Sequence, residues 1–198
     1  MTGISRRPWG RASAFCLALA ACGGRPGGAK GVAPSAVRVI PLASAIVLET
    51  AGPSPSDTSV TFTAGTPRVV VLRHGPPENV VFAEVSFAPA AFRADSGLPV
   101  RVDIRPLAGV YGLTLATSRP FRSGASVVFK YPRYFSAPAR ARSVYGSDVL
   151  YERALSVGEV QAAGQSLSLL PTTRPATDNL QAAIGSPGTY LVAAPATP

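Results

Sequence analysis

Proline and glycine recur at short intervals along most of this chain, and this spacing is the feature that most limits its fold. The sequence holds 20 prolines and 19 glycines among 198 residues. A proline inside a helix removes a backbone hydrogen bond and clashes with the preceding turn, so long helices are excluded. The apolar stretches between these residues are short and recur about every 8 to 12 residues, as in sandwiches and barrels. The sequence therefore predicts an all-β domain built from sandwich-like antiparallel sheets.

The clearest strand signal lies at 100–105, where Val100, Val102 and Ile104 alternate with charged residues. Such strict period-two alternation is typical of a strand with one face in the core, so we expect these three side chains to be buried. Weaker signals of the same kind predict strands at 37–40, 45–48, 58–63, 68–72, 80–87, 110–116, 126–131, 167–170, 180–184 and 189–193. Segment 149–160 fits either a strand or a helical turn. Together these elements predict a domain over 36–195, with two lobes meeting near residue 75 as an alternative.

The first residues have the character of an export signal rather than of a fold. Arg6, Arg7 and Arg11 form a basic start, and an apolar stretch at 12–21 follows. About 20 apolar residues are needed to cross a bilayer, so this stretch is too short for a membrane span. A secretory signal peptide typically has a basic start, a short apolar middle and an end of small residues, so one is predicted at 1–21. The sequence leaves open whether the general secretory route or the twin-arginine route is used.

The end of this signal, Leu19-Ala20-Ala21-Cys22, resembles the lipobox of bacterial lipoproteins. The resemblance implies cleavage before Cys22 and a diacylglycerol on its sulfur, so membrane lipid is the implied partner. Cys16 would leave with the signal, and the mature chain would hold no second cysteine for a disulfide. Residues 22–35 are rich in glycine, proline and alanine and predict a flexible tether. We expect a lipid-anchored protein of the bacterial cell envelope, in the outer membrane if the host has one, because Gly23 is not an inner-membrane retention aspartate.

The positive charge of the chain does not form a nucleic-acid binding pattern. The formal net charge is +9, and the positive residues are almost all arginines scattered singly. A nucleic-acid binder would cluster them along one face together with stacking aromatic residues. We therefore expect no nucleic-acid partner, and an envelope protein or a glycan remains the expected partner class.

Arg73-His74-Gly75 follows a predicted strand and resembles the tripeptide with which histidine phosphatases present their phosphoryl-accepting histidine. That family also uses a second histidine, and His74 is the only one in this chain. Gly75-Pro76-Pro77 would also break the helix that should follow. The match is therefore interpreted as chance, and the segment as a hairpin connection with His74 partly exposed at its shoulder.

Other catalytic or metal-binding patterns are equally sparse. One histidine and one mature cysteine are too few for the common zinc sites. The sequence has no Gly-x-Ser-x-Gly elbow, and its few acidic residues do not form a pair suited to glycoside hydrolysis. Glu84 interrupts an apolar run and is interpreted as the solvent-facing residue of a strand. We expect neither a metal nor a cofactor, and we predict that the protein is not an enzyme.

The stretch "FKYPRYFSAP" at 129–138 is the one candidate ligand surface. Tyr131, Arg133, Tyr134 and Phe135 could form a stacking platform with a cationic edge for a sugar or peptide. Alternatively, Phe129 and Tyr131 belong to the core while Tyr134 and Phe135 close one end of the sandwich. Exposed, coplanar rings would favour a carbohydrate- or peptidoglycan-binding protein, whereas buried rings favour a scaffold.

The closing stretch, from "LSLLPTTRPATD" through "NLQAAI" to "SPGTYLVAA", resembles the last strands of secreted bacterial β-sandwich modules. It is also similar to the β-sandwich domain shared by ankyrins and netrin receptors. Some relatives of that domain cleave themselves at His-Phe-Ser, but Pro187-Gly188-Thr189 stands at that place here. The resemblance therefore implies a sandwich and no self-cleavage. The function predicted from the sequence is a membrane-anchored envelope lipoprotein with a non-catalytic binding or structural domain.

Overall fold

Short strands dominate the part of the chain that the structure, a computed structural model, describes, namely residues 37–161 and 163–197. The strands are β1 (Arg38–Pro41), β2 (Ala45–Val47), β3 (Glu49–Thr50), β4 (Thr58–Thr63), β5 (Arg68–Arg73), β6 (Val81–Phe87), β7 (Pro99–Pro106), β8 (Gly112–Thr117), β9 (Ala125–Lys130), β10 (Phe135–Ser136), β11 (Ser156–Val160), β12 (Ser166–Leu169), β13 (Thr172–Thr173), β14 (Asn179–Ile184) and β15 (Gly188–Pro195). Two helices, α1 (Ala139–Tyr145) and α2 (Asp148–Ala154), lie between β10 and β11. The predicted signal peptide 1–21, Cys22 and the tether 22–35 lie outside the described residues.

The strands form two main antiparallel sheets. The first sheet has the order β1-β12-β11-β15-β8-β7-β4, and β2 also pairs with β15. The second sheet has the order β13-β14-β9-β6-β5, while β3 and β10 form a separate two-stranded ribbon. Strand accounts for 48% of the structure and helix for 14%, so the predicted all-β, sandwich-like fold is confirmed.

The main core lies between the two sheets. On β7 the side chains of Val100, Val102 and Ile104 are fully buried, as the alternation predicted. From the second sheet, the fully buried side chains of Phe82 and Phe129 belong to the same core. Two inward faces of alternating residues thus build one core, which is the arrangement of a β-sandwich.

The outward side of β7 carries the expected charges. Arg101 and Arg105 are exposed, whereas Asp103 is half-buried. Arg101 Nε donates to both carboxylate oxygens of Asp103, at 3.0 and 3.1 Å. Hydrogen bonds from Ser59 and Arg101 hold the pKa of Asp103 below its ordinary value. Glu84 is likewise on an outward face, where Lys130 Nζ donates to its carboxylate at 2.6 Å. This ion pair agrees with its interpretation as a strand residue.

One end of the first sheet curls into a second, smaller core. β1 and β2 are joined by only three residues, yet β12, β11 and β15 lie between them in the sheet. In a flat sheet β1 and β2 would be about 19 Å apart, at about 4.8 Å per strand. The sheet must therefore bend so that the three connecting residues can join the two strands. The bend encloses a second cluster of buried side chains, which includes Ile40, Leu167, Leu169, Leu191 and Ala193.

Helices α1 and α2 are the elements that differ most from the expectation. No helix was predicted at 139–145, and the ambiguous segment 149–160 divides into most of α2 and β11. α1 ends at Gly146, which has a left-handed φ of 72°. Ser147 then caps α2 by accepting a hydrogen bond from the Leu150 amide at 3.2 Å. No helix in the described part of the chain is both long and apolar enough to cross a membrane.

Strands on both sides of residue 75 pair with one another. β5 pairs with β6 in the second sheet, and β4 pairs with β7 in the first. The residues that the structure describes belong to one compact unit.

Candidate functional site

His74 lies where β5 turns toward β6. Its amide donates to the Val80 carbonyl at 2.9 Å, which extends the ladder of the hairpin by one residue. The hairpin is as predicted, but the predicted exposure is wrong, because only 1% of His74 is exposed. The side chain turns inward, into the end of the main core.

Aromatic rings from three distant segments surround the imidazole. Its centroid lies 4.6 Å from that of Tyr134, 5.2 Å from that of Phe82 and 6.1 Å from that of Tyr111. Nδ1 lies 2.8 Å from the Pro53 carbonyl, and since a carbonyl only accepts, Nδ1 carries the proton in this contact. Nε2 is buried and has no hydrogen-bond partner among the described residues.

This geometry does not present His74 to a substrate. A phosphate ester could reach Nε2 only if the surrounding rings moved apart. The neighbouring arginines also point to other partners, since Arg73 Nη1 donates to the Asn79 carbonyl at 3.1 Å. Arg101, on the first sheet, is paired with Asp103. The residues near the tripeptide therefore do not converge on a phosphate-sized space.

The aromatic stretch 129–138 is divided between the core and the surface. Tyr131 is 1% exposed and lies in the main core, whereas Tyr134 and Phe135 are half-buried. The rings of Tyr131 and Phe135 are inclined at 46°, with centroids 5.9 Å apart. Tyr134 packs directly over Gly52, where a Cβ would overlap its ring. The three rings thus do not form one exposed plane, and the side chain of Arg133 lies outside the described part of the structure.

The hydroxyl of Tyr131 connects the core to a polar network at the surface. It donates to Glu152 Oε1 at 3.0 Å and accepts from Arg174 Nη1 at 2.8 Å. Arg174 Nη2 donates to the backbone carbonyls of Glu152 and Leu155. Burial raises the pKa of Tyr131 to about 12 even though the Arg174 guanidinium opposes the shift, so the hydroxyl keeps its proton at neutral pH.

The surface has several separate cavities with volumes of about 260 to 400 Å³. The cavity beside this network has a volume of about 320 Å³. Val149, Glu152, Arg153, Arg174 and Thr177 line it. Glu152 and Arg174 are already engaged with Tyr131, and the lining offers no second acid. The cavity therefore has groups that could bind a small polar molecule, but it lacks a pair of titratable groups for acid–base chemistry.

Sequence reasoning did not find this network. Glu152 stood among the scattered acids, and Arg174 lies in a loop with no motif around it. The side chain of Arg174 contacts Tyr131, which follows β9, and the backbone of Glu152 in α2. These residues lie 43 and 22 positions from Arg174, and no local pattern reports contacts over such separations. Among the described residues, no group of three or more His, Cys, Asp or Glu side chains could hold a metal ion.

Comparison of the chain with protein-family models, curated proteins and solved structures finds no significant match. The fold defines an all-β, sandwich-like domain.

Proposed function

We propose that this protein is a lipoprotein of the bacterial cell envelope, anchored through Cys22, whose β-sandwich serves a non-catalytic binding or structural role. The observation that carries the proposal is Leu19-Ala20-Ala21-Cys22 at the end of a basic and then apolar leader. A glycine- and proline-rich stretch follows, and the first strand begins at Arg38. This order of leader, lipid-accepting cysteine, tether and domain is what a lipid-anchored protein requires.

The non-catalytic part of the proposal rests on where the reactive side chains lie. The single histidine is buried among aromatic rings. Several carboxylates are held in ion pairs, such as Asp95 with Arg119 at 2.6 Å and Glu84 with Lys130 at 2.6 Å. Groups held in this way serve stability more readily than turnover.

Glycan binding through Tyr131, Arg133, Tyr134 and Phe135 is the alternative, and it has less support. A stacking platform needs ring faces open to the ligand. Tyr131 is buried in the core, and Tyr134 is packed over Gly52 and His74. The aromatic stretch thus supports a scaffold better than a sugar site.

Membrane fractionation of two cysteine variants tests the anchor. Cys22→Ala removes the lipid acceptor, whereas Cys16→Ala changes the only other cysteine and leaves the lipobox intact. We expect the native chain and Cys16→Ala in the membrane fraction, and Cys22→Ala either released or retained as an uncleaved precursor. Equal partitioning and equal processing of all three chains would reject anchoring through Cys22.

A further inference from the structure

Three loops meet at one end of the sandwich, at 88–98, 118–124 and 185–187. The Ala88 amide donates to the Gly124 carbonyl at 2.7 Å. Gly124 has a φ of +75°, and a Cβ there would lie 3.0 Å from the Ala91 nitrogen. A Cβ on Gly185 would lie 3.2 Å from the Arg122 carbonyl oxygen. The loops are therefore packed backbone against backbone, which leaves them little freedom to move independently.

Phenylalanine side chains lie beneath the loops at this end of the sandwich. Phe92 and Phe121 are almost fully buried, and their rings meet edge to face with centroids 5.7 Å apart. Both rings also pack on Phe87, at 5.4 and 5.8 Å. Phe92 and Phe121 line a surface cavity of about 260 Å³ together with small residues such as Ala90 and Pro120. The cavity thus offers an apolar floor on a rigid support.

Two arginines stand at the same cavity without an acidic partner. Arg93 and Arg122 are exposed and line it, and neither forms an ion pair within the part of the chain that the structure describes. The one acid in the lining, Asp95, is bound by Arg119 Nη1 at 2.6 Å. Arg93 also lines an adjoining cavity of about 400 Å³. The surroundings of the cavity are therefore positively charged.

We propose that this cavity binds a small anion joined to an apolar group, such as a phosphate or carboxylate on a compact aromatic or aliphatic body. The guanidinium groups of Arg93 and Arg122 would hold the anion, since arginine matches carboxylate and phosphate oxygens with paired N–H donors. The apolar body would rest on the exposed small residues of the lining, Ala90, Ala94 and Pro120, which the buried rings of Phe92 and Phe121 support from below. The inference deepens the proposed binding role by naming a ligand class, and it does not depend on the lipid anchor.

Phenyl phosphate is a suitable probe, with inorganic phosphate and phenol as its two halves. Equilibrium dialysis would measure binding to the purified full chain in non-ionic detergent. Changes in the amide NMR shifts of Ala91 and Gly124 would locate the binding site. We expect phenyl phosphate to bind more tightly than either half. Arg93→Ala and Arg122→Ala should each weaken it about ten-fold, as expected for loss of a charge-assisted hydrogen bond. Arg38→Ala, at an exposed arginine of β1 that does not line this cavity, serves as the matched control and should have no effect.

Several results would overturn the inference. They are binding of phenol as tight as that of phenyl phosphate, equal weakening by Arg38→Ala, or no binding of any probe at millimolar concentration. Circular dichroism of each variant shows whether it is folded, so a loss of binding can be assigned to the missing guanidinium. An unmodified Cys22 would reject the anchor and leave this result untouched, so the two proposals fail separately.

Discussion

At the scale of single residues, His74 is the most unusual side chain of the domain. One of its ring nitrogens is held by the Pro53 carbonyl, and the other is buried with no partner among the described residues. The burial of the His74 side chain could not be predicted from the hairpin sequence alone. The covering residues, Pro53 and Tyr134, lie 21 and 60 positions away and reach His74 only in the folded sandwich. A position that the local sequence describes as a hairpin shoulder thus becomes part of the core.

The burial of His74 predicts a large effect of its removal. His74→Ala should lower the free energy of unfolding by about 2 to 4 kcal/mol, since it leaves a cavity among the rings and an unpaired Pro53 carbonyl. Arg73→Ala, at the exposed neighbouring position, should change it by no more than about 0.5 kcal/mol. Urea unfolding followed by circular dichroism measures both values. Equal, small effects of the two substitutions would mean that His74 is at the surface after all.

At the scale of elements, the curled end of the first sheet depends on a glycine in β11. A Cβ on Gly158 would lie 2.7 Å from Leu167 Cγ, and Leu167 is fully buried in the smaller core. The side chain of Leu167 therefore occupies the space that any other residue at 158 would need. Gly188, on the neighbouring β15, differs from it because a Cβ there would make only an ordinary contact of 3.5 Å with Glu159.

These two glycines form a matched pair for mutation. Gly158→Ala should destabilise the domain by about 1 to 3 kcal/mol, because Leu167 and its strand have to shift in a closely packed core. Gly188→Ala should be neutral or slightly stabilising, since alanine reduces the conformational freedom of the unfolded chain. Thermal unfolding of both variants provides the comparison. If Gly158→Ala were as stable as Gly188→Ala, the close packing of β11 on β12 would be contradicted.

The elements also show which local signals the sequence carries. The predicted strand at 100–105 became β7 because its alternation comes from burial of one face, which the sequence records directly. The helix α1 was missed because its seven residues are too few to show a helical period. Pro138 before it and Gly146 after it are the signals that could have indicated it, since proline suits a helix start and glycine a left-handed end. The pairing order of the strands has no comparable local signal.

At the scale of the whole molecule, buried tyrosines dominate the response to alkaline pH. Burial raises the pKa of Tyr111, Tyr131 and Tyr190 to about 12, and it also raises the pKa of Tyr145 and Tyr151. In the unfolded chain all of them titrate near 10. A pKa raised in the folded state gives stability that is present below the unfolded value and lost as the pH rises through the folded value.

The domain should therefore lose stability between about pH 10 and pH 12. The chain has only two lysines, so few other groups titrate in this window. Absorbance at 295 nm reports tyrosinate, and far-ultraviolet circular dichroism reports the fold. We expect most tyrosines to ionise late and together with unfolding. Ionisation of the full set near pH 10 with the fold intact would contradict their burial.

At the same scale, the fold class could be predicted but the candidate sites could not. Proline and glycine spacing limits the chain to short strands, which is typical of an all-β sandwich or barrel. The cavity lined by Arg93 and Arg122 forms only when loops from two separate strand connections come together. The network of Tyr131, Glu152 and Arg174 likewise joins the residue that follows β9, the helix α2 and a later loop. Such sites depend on long-range packing, which residue patterns do not report.

Intact-mass analysis of the protein isolated from bacterial envelopes tests the central claim, a lipid anchor at Cys22, most directly. We expect a mature chain that begins at Cys22 and carries the mass of a diacylglycerol, with or without a further acyl chain on its amino group. Cys16→Ala should give the same mass, because residue 16 leaves with the signal, and Cys22→Ala should lack the lipid. A mature chain that carries no lipid, or that begins at another residue, would contradict the account.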